Sequence, residues 1–251
     1  MDDKIKVLQE WIDESNHIVF FSGASMSTDI PDLYRMEASY FKTYDYPPQT
    51  IYSRSFLERK PDAFFRFYRE RVLKPLLTAD PNIAHRKLVE LEHANKLRMI
   101  LTQNTNELHQ EAGSRKVMEL HGSVMRNKCP LCDTFRSALD IYEYPGIPYC
   151  TVDMCGAVIS PDIILYGDAL NREQMAEAIY QVLMADLLIV AGSSLLEYPA
   201  AALVPYYSRK KLVLIHESES ILDERANLII RAPICDIMEQ INIAPTTGQN
   251  G

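Results

Sequence analysis

The sequence predicts an α/β fold built on a doubly wound parallel sheet, with a smaller metal-binding module attached to it. Short apolar runs alternate along the chain with segments of helical periodicity, and each run ends at turn-forming residues. Four of the five cysteines form two close pairs, a pattern typical of bound metal rather than of disulfides. The chain has 251 residues, 47% of them hydrophobic, and can bury one large core together with a smaller one.

Composition restricts the partners that we expect. The net charge of −8 argues against nucleic acid as the main partner, but it leaves basic protein tails open as substrates. No apolar run approaches the ~20 residues that cross a bilayer, so we expect no membrane partner. Residues 1–11 are charged and helical in pattern, unlike a signal peptide. Together with the metal-type cysteine pairs, these features predict a cytoplasmic protein.

The first predicted elements are a helix, a strand and a turn. Residues 3–15 carry apolar side chains at helical spacing, and the apolar run 17–21 predicts a buried strand. Small residues follow at 22–27. A strand that leads into such a turn and a helix start can bind phosphate, because backbone N–H groups point at the anion. The turn has one glycine where a dinucleotide fingerprint has three, so an ordinary tight turn is an equally good interpretation.

The next part of the chain predicts a loop and a helical module. Residues 29–35 are rich in turn formers and charge, which indicates a mobile loop. Residues 40–75 are rich in aromatic side chains, which we expect to pack inside a small helical module. A helix over 85–97 then leads into the apolar run 99–101, a predicted buried strand.

Polar side chains follow that strand. Gln103, Asn104 and Asn106 come first, and His121 with Gly122 comes next. An open α/β sheet presents such groups to a ligand at the carboxyl edge of its strands. Histidine exchanges a proton near neutral pH, and the glycine allows another backbone to come close. A purely structural histidine is the alternative interpretation.

The cysteine pairs predict a structural zinc site. Cys129 and Cys132 are separated from Cys150 and Cys155 by seventeen residues. Two tight turns that carry four thiolates supply the tetrahedral ligand set of zinc. All four positions are protein ligands, so we expect a closed, non-catalytic site. Four free thiols brought together by chance are the alternative.

The remaining segments continue the alternation of strands and helices. Predicted strands cover 161–168, 187–194, 212–215 and 228–230. Predicted helices cover 172–184 and 234–241, and residues 244–251 are expected to be disordered.

With these segments in place, the chain resembles the sirtuins, the Sir2 family of NAD-dependent protein deacylases, as a divergent bacterial-type member with altered NAD-site motifs. The resemblance covers residues 1–241. The motifs that carry it are Gly23-Ala24 with Ser27, Ile30-Pro31-Asp32, Thr102-Gln103-Asn104, Leu108-His109, Glu119-Leu120-His121-Gly122-Ser123, the four cysteines, Pro161-Asp162, Gly192 with Ser194-Leu195, and Pro199-Ala200-Ala201.

The resemblance implies a Rossmann-like large domain and a small domain, with NAD and an acylated peptide in the cleft between them. The implied boundaries are 1–30, 78–122 and 160–241 for the large domain, 35–77 for a helical module, 123–159 for a zinc ribbon, and 242–251 for a disordered tail.

The resemblance also assigns site residues. His121, with Asn104, is the implied catalytic pair, in which the histidine acts as general base on a ribose hydroxyl after the acyl oxygen has displaced nicotinamide. The implied cofactor-binding residues are Gly23, Ala24, Ser25, Ser27, Asp32, Tyr34, Arg35, Gln103, Asn104, Asn106, Gly192, Ser193, Ser194, His216 and Cys235. The implied substrate-binding residues are Tyr68, Arg71, Tyr166, Gly167 and Asp168, the last three through their backbone, which would pair with the peptide as an added strand.

Several positions depart from the family pattern, and all of them lie in the implied NAD site. Ser25 replaces a glycine, Asn106 an aspartate and His216 an asparagine, and Tyr34 stands in for a phenylalanine. The loop from Ser27 to residue 30 is also about two residues shorter. This pattern suggests altered NAD chemistry or weakened turnover.

The acyl group is addressed by Tyr68 and Arg71, which are three residues apart on a predicted helix over 64–73. In sirtuins that remove acidic acyl groups, a Tyr-x-x-Arg pair binds the distal carboxylate, for which the planar guanidinium is suited. The alternative is a solvated basic face formed by Arg66, Arg69 and Arg71.

Three functions remain open at this point. The leading hypothesis is an NAD-dependent lysine deacylase, a deacetylase with desuccinylation as a variant, that produces nicotinamide and O-acyl-ADP-ribose. The second is a sirtuin-type ADP-ribosyltransferase or NAD hydrolase. The third is a non-catalytic module that binds NAD or ADP-ribose.

Overall fold

The structure is a computed structural model that describes residues 2–27, 40–192, 200–220 and 222–243. Within these ranges nine strands form a six-stranded sheet, called here the central sheet, and a three-stranded sheet, called the small sheet. The strands are β1 (Ile18–Ser22), β2 (Leu97–Thr102), β3 (Val117–Glu119), β4 (Gly122–Lys128), β5 (Phe135–Ser137), β6 (Ser160–Ile163), β7 (Leu187–Ala191), β8 (Leu212–Ile215) and β9 (Leu228–Ile230).

The helices pack on both sides of the central sheet and beside the small sheet. They are α1 (Asp2–Glu14), α2 (Tyr40–Thr43), α3 (Pro48–Ile51), α4 (Arg54–Arg59), α5 (Pro61–Phe67), α6 (Lys74–Leu76), α7 (Ile83–His93), α8 (Leu108–Glu111), α9 (Ala138–Glu143), α10 (Arg172–Met184), α11 (Ala200–Leu203) and α12 (Ile234–Met238). A π-helical turn, Tyr68–Leu73, joins α5 to α6. No helix in the described part of the chain is both long and apolar enough to cross a membrane.

The central sheet is parallel throughout, in the order β3-β2-β1-β7-β8-β9. The chain builds outward from β1 on one side and then from β7 on the other, so the strand order reverses beside β1. Ser22 is paired with Thr102 of β2 and with Ala191 of β7. The carboxyl ends of three strands therefore meet where open α/β sheets bind their ligands.

Both faces of the central sheet are covered. Ile18 and Phe20 of β1 point into a core shared with α1, α7 and α12, whereas Val19 and Phe21 point into a core shared with α10. Side chains of a strand alternate between faces, so a strand buried at every position needs helices on both sides. The predicted doubly wound α/β sheet is confirmed.

A third core lies between the helices of 40–76 and the small sheet. Its largest members are Phe64, Phe65, Phe67 and Tyr68, all with no exposed surface. Burial of each such ring contributes ~1.5–3 kcal/mol, so this cluster holds the helical module against the small sheet. The aromatic side chains of 40–75 thus pack as expected.

Two sequence expectations differ from the structure. The run 161–168 is expected to contribute a strand to the parallel sheet, but its strand β6 pairs antiparallel with β4 in the small sheet, with Gly122 opposite Ile163. The chain leaves the central sheet at Gly122 as β4 and later runs back alongside β4 as β6. The two strands are therefore antiparallel. The short strand β3 was not predicted. The helix expected over 64–73 becomes π-helical from Tyr68 onward.

Candidate functional site

The turn after β1 packs backbone to backbone against the end of β7. Gly23 N–H donates to Ala191 O at 3.0 Å, and Ser25 N–H donates to Gly192 O at 2.7 Å. Gly192 has a φ of +67°, and a Cβ there would lie 2.4 Å from Met26 N. Only glycine allows this approach without a shift of one backbone. The two turns therefore hold each other at the edge of the sheet.

The same contacts bear on the predicted phosphate-binding role of this turn. Its residues 24–26 form a single 3-10 turn, and Ala24 and Ser25 are exposed at the edge. The N–H of Ser25 is already bonded to Gly192 O, and the N–H of Met26 to Gly23 O. In this conformation those N–H groups do not point at an anion, so a phosphate would have to use other groups of the turn.

The amide side chains after β2 are tied to this turn. Ser27 is buried, and its Oγ lies 2.8 Å from Asn106 Nδ2 and 3.4 Å from Asn104 Nδ2, both of which donate to it. Asn106 Oδ1 accepts from Leu108 N–H at 3.2 Å. The structure thus brings together three predicted cofactor residues from the segments that follow β1 and β2. Both ends of the Asn106 amide have a partner within the protein.

His121 lies between the two sheets and is half-buried. Burial lowers its pKa below 6.5, and a hydrogen bond from the ring to the Gln103 backbone carbonyl counteracts part of that effect. Its own carbonyl accepts from Ile164 N–H at 3.0 Å. A neutral imidazole that donates one N–H to a carbonyl leaves its second nitrogen unprotonated. That arrangement is the one a general base requires.

Gly122 fixes where the chain leaves the central sheet. Its φ is +75°, and a Cβ would lie 2.1 Å from the carbonyl oxygen of Asp162. The close crossing of β4 and β6 therefore requires glycine at this position, directly after His121.

His216 and Cys235 lie farther along the same edge. His216 follows β8 and is 8% exposed; its Nε2 lies 3.1 Å from Asp223 Oδ1 and 2.6 Å from Arg231 Nη1. Burial and then Arg231 lower the pKa of His216, against the opposite effect of Asp223. Cys235 is half-buried in the first turn of α12. His216 is thus part of a charged cluster.

The two predicted acyl-pocket residues have different partners. Tyr68 is fully buried, and its hydroxyl lies 3.1 Å from Val124 O, to which it donates. Burial raises its pKa well above 10. The guanidinium of Arg71 stands over the ring of Tyr40, 5.8 Å from its centroid. The π-helical turn changes the spacing on which their shared face was predicted.

The predicted peptide-pairing segment is partly used by the protein itself. Tyr166 N–H donates to Tyr52 O at 3.1 Å, and Tyr166 O accepts from Arg54 N–H at 3.0 Å. The guanidinium of Arg54 also donates two hydrogen bonds to the Asp168 carboxylate, at 3.0 and 2.7 Å. An added peptide strand would have to use other backbone groups here, such as those of Gly167.

The four cysteines lie together in turns outside the strands of the small sheet. All their sulfur atoms are within 4.8 Å of one another, and individual Sγ–Sγ distances are 3.4, 3.4 and 3.9 Å. Zinc–sulfur bonds of ~2.3 Å in a tetrahedron place the sulfurs about 3.8 Å apart. Cys129, Cys132, Cys150 and Cys155 are therefore positioned to bind a zinc ion, as predicted.

Five predicted cofactor residues lie outside the described part of the chain: Asp32, Tyr34, Arg35, Ser193 and Ser194.

Two groups near the site were not found from the sequence. Arg126 of β4 forms ion pairs with Glu107 and Glu119, beside a cavity of about 250 Å³. These ion pairs join residues 19 and 7 positions apart, and a single sequence does not indicate which charged residues meet. The buried rings of His85 and His109 lie 4.8 Å apart.

The buried histidines support the turn after β1. His109 Nε2 is 2.9 Å from Ser22 Oγ, and His85 Nδ1 is 2.8 Å from Asn82 Oδ1. Asn82 in turn donates to Met26 O at 2.8 Å. Burial lowers the pKa of His85 to about 4 and that of His109 to about 3, so both rings are neutral at pH 7. The Asn-x-x-His spacing of a capping box was the one available signal for His85.

Comparison with known proteins agrees with this geometry. A sequence profile described as the Sir2 family matches residues 22–199. A protein of Clostridium perfringens (strain 13 / Type A), named NAD-dependent protein deacetylase, is 43% identical over 246 residues, 96% of this chain and 99% of the relative. A protein of the same name from Cutibacterium acnes (strain DSM 16379 / KPA171202) is 42% identical over 227 residues, 89% of this chain and 91% of the relative.

Solved structures are similar over the same range. One, described as "The Structural basis of Sirtuin Substrate Affinity", has a TM-score of 0.84 and 34% identity, and the match covers 93% of this chain and 96% of the other. Another, described as "Sir2-p53 peptide-NAD+", has a TM-score of 0.81 and 33% identity over 94% and 95% of the two chains. On the profile match, the near full-length relatives and the shared fold, this chain belongs to the Sir2 family, the sirtuins.

Proposed function

We propose that this protein is an NAD-dependent protein lysine deacylase that acts as a deacetylase and releases nicotinamide and O-acyl-ADP-ribose. The observation that carries the proposal is the placement of His121. Its neutral ring is fixed to the Gln103 carbonyl, next to the amides that follow β2, at the edge where β1, β2 and β7 end together. This reaction needs a general base beside the bound dinucleotide, and open α/β sheets bind dinucleotides at this edge.

The comparisons support the same activity. The relatives named above are NAD-dependent protein deacetylases. A similar structure is described as "Sir2 bound to acetylated peptide", with a TM-score of 0.81 and 32% identity over 94% of this chain and 95% of the other. We infer that the partner of this chain is an acylated protein or peptide, and that NAD is its cosubstrate.

The described residues fit NAD. The turns at Gly23 and Gly192 approach each other so closely that a side chain at the latter would not fit, which leaves small exposed residues, Ala24 and Ser25, at the rim. Gln103 and Asn104 supply hydrogen-bonding groups beside them. NAD, when bound, supplies an electrophilic ribose carbon and nicotinamide as a leaving group.

We assign the proton transfer to His121. The ring nitrogen that donates to Gln103 O keeps its proton, and the other nitrogen accepts the proton of a ribose hydroxyl. Because burial lowers the pKa of the ring, the base is unprotonated at neutral pH. Asn104 is held by Ser27 and by its own backbone N–H, which donates to Thr102 Oγ1 at 3.0 Å. We propose that it orients the reacting ribose.

We propose the following division of the chain, close to the sequence expectation. The large domain comprises 1–30, 78–122 and the part from about 164 to 241. The small domain comprises the helical module 35–77 and the zinc ribbon, extended to include β6. Zinc holds this second unit together, since its ribbon has few strands and a small core.

For the cellular setting, we propose a cytoplasmic protein with neither a membrane nor a nucleic acid as a direct partner. The net charge of −8 and the use of cysteines as metal ligands support this proposal.

The test is product analysis after incubation with NAD and an acetyl-lysine peptide. Equal amounts of deacetylated peptide, nicotinamide and O-acetyl-ADP-ribose support the proposal. A labelled protein would indicate ADP-ribosyl transfer, free ADP-ribose alone would indicate hydrolysis, and binding without consumption would indicate a non-catalytic module. Any of those three results contradicts the proposed deacetylase.

A further inference from the structure

Arg126 of β4 connects the two chain segments that carry the reactive groups. Its guanidinium forms ion pairs with Glu107 and Glu119, with N–O distances of 2.5 Å each. Glu107 directly follows the amide segment 103–106, and Glu119 lies two residues before His121. The side chain of Arg126, in the small sheet, thus forms an ion pair next to each of the two chain segments that carry the candidate site residues.

The contacts use all parts of the guanidinium. Nη1 faces Glu107 and Nη2 faces Glu119, while Nε is 3.2 Å from Asp162 Oδ2. Burial alone would lower the pKa of Arg126, but the neighbouring carboxylates raise it above its ordinary value. The guanidinium therefore stays protonated. A planar fork that addresses several carboxylates in fixed directions cannot be replaced by the single ammonium of lysine.

The positions of Glu119 and Glu107 are also restricted by their own chain segments. Glu119 lies in β3 opposite Thr102, its side chain is 12% exposed, and its Oε1 accepts from Gln110 at 2.7 Å. Glu107 has a φ of 58°, a left-handed conformation that is uncommon for residues other than glycine. Such a backbone persists only where its surroundings hold it, and the ion pair with Arg126 is one such constraint.

The strand that carries Arg126 also contacts the amide segment through its backbone. Val124 N–H donates to Thr105 O at 2.9 Å, midway between Asn104 and Asn106. The amide segment is therefore attached to β4 at Thr105 and at Glu107, two residues apart. Loss of the Glu107 attachment leaves the segment with one of these two contacts to β4.

We propose that Arg126 is a positioning residue for deacetylation, which fixes the amides of 103–106 relative to His121. The inference rests on the proposed function. The reaction requires the base and the amides to meet the same ribose, and a displacement of about 1 Å at a reacting group can cost ~100-fold in rate. Because Arg126 touches neither segment's reactive groups directly, its loss changes their alignment rather than their chemistry.

Lys128 provides a matched control. It lies on the same strand, two residues along, and its Nζ is 3.0 Å from the same Asp162 carboxylate. The ion pairs of Lys128 in the structure do not include Glu107 or Glu119. Lys128→Met therefore removes the same charge from the same strand without removing the link between the two segments.

The experiment compares Arg126→Met and Lys128→Met with the parent in kcat, KM for an acetyl-lysine peptide, NAD affinity by calorimetry and Tm. We expect kcat of Arg126→Met to fall about 10–100-fold, with KM and NAD affinity within threefold of the parent. We expect Lys128→Met to keep kcat within about twofold, since it retains the ion pairs of Arg126 with Glu107 and Glu119.

The pH profile separates alignment from charge. Arg126→Met leaves the carboxylates of Glu107, Glu119 and Asp162 without this cation, while Lys128 still pairs with Asp162. We expect the added net negative charge to raise the pKa of His121 and to move the acid limb of kcat/KM to higher pH. In the double variant Arg126→Met/Glu119→Gln one of these charges is removed, and we expect the limb to return toward the parent while kcat stays low. A residue that serves only stability would not lower kcat at unchanged KM in a folded variant.

Parental kcat in folded Arg126→Met, or an equal loss in Lys128→Met, overturns the inference. If Arg126→Met does not fold, Arg126→Lys decides: a fall in kcat of about fivefold or more at unchanged KM supports it, and parental kcat overturns it. A parent without O-acetyl-ADP-ribose formation contradicts the proposed function and, with it, this inference, whereas an active parent with unaffected variants contradicts the inference alone.

Discussion

The edge of the central sheet, where we propose that NAD binds, and the cysteine cluster beside the small sheet are built in different ways. At the edge, the turns after β1 and β7 contact each other through their backbones, and Gly192 has no room for a side chain. In the cluster, four thiols lie within 4.8 Å of one another on two turns, and a bound ion is what would join them. The first site is a product of folding, whereas the second depends on metal.

The comparison extends to sequence divergence. Three departures from the family pattern, Ser25, Asn106 and His216, lie at the edge of the central sheet where we propose that NAD binds, and the four predicted zinc ligands are intact. A tetrahedral zinc site does not tolerate the loss of one ligand, because the metal is part of the fold. An edge held by backbone contacts tolerates changes of side chain. The NAD edge is therefore where this chain can differ from its relatives in activity.

Among the proposed variants, the removal of one zinc ligand should affect stability most. We expect Cys129→Ala to lose bound zinc and to unfold the small sheet, because structural zinc contributes ~10–16 kcal/mol of apparent binding energy. The central sheet should keep its cooperative unfolding transition. Zinc content by metal analysis and two-probe denaturation measure both outcomes.

The control is Cys235→Ala, which lies in α12, outside the cluster. It should keep one zinc per chain. Full zinc content in Cys129→Ala would show that this residue is not a ligand.

The next effect concerns the edge and its support by buried histidines. The pKa values of His85 and His109 are lowered by burial to about 4 and about 3. Below pH 6.5 the unfolded chain takes up protons that the folded chain does not. Stability therefore falls as the pH decreases toward 4, by about 1.4 kcal/mol per pH unit for each histidine.

We expect His109→Gln to flatten this slope between pH 6.5 and 4, measured as urea midpoints, although the variant is less stable at pH 7. Release of zinc in acid affects parent and variant alike. An unchanged slope in His109→Gln would contradict the assignment of a neutral buried ring.

These residues show how far a single sequence leads. The doubly wound sheet, β8, β9, α10 and the zinc ligands followed from periodicity and spacing, because each depends on local pattern. The pairing of β6 with β4 and the Arg126 ion pairs could not be found in this way. They join residues of different chain segments, whose contact is decided by the route of the backbone through space.

Substitution of Arg71 should have a smaller effect, and it tests which acyl group the protein removes. Tyr68 donates its hydroxyl to Val124 O, so recognition of an acidic acyl group would depend mainly on Arg71. If Arg71 binds the distal carboxylate, Arg71→Met should lower desuccinylation about tenfold or more and barely change deacetylation, since such a contact contributes roughly 1.5–3 kcal/mol. Kinetics on succinyl- and acetyl-lysine peptides measure the difference.

The neighbouring Arg66, on α5, is the matched control, because Arg66→Met removes a similar charge one turn away. Equal losses on both peptides in Arg71→Met would assign that residue to packing against Tyr40.

The smallest expected effect concerns the divergent amide. Asn106 donates to Ser27 and accepts from Leu108. Asn106→Asp cannot donate, so Ser27 would donate to the carboxylate, which is a stronger acceptor for the nicotinamide amide. We expect NAD turnover to rise and inhibition by nicotinamide to strengthen, each about threefold.

Asn171→Asp, at the N-cap of α10, is the control for this exchange and should leave both values unchanged. A fall of turnover in Asn106→Asp would mean that the departure at this position is not what weakens nicotinamide handling.

We propose a neutral His121, fixed by the Gln103 carbonyl, as the base of an NAD-dependent deacetylation. The most direct measurement is O-acetyl-ADP-ribose formation by His121→Tyr, with NAD binding followed by calorimetry in the same preparation. We expect the rate to fall ~10²–10⁴-fold while NAD still binds. A rate within a few-fold of the parent, with NAD bound equally well, would contradict the account.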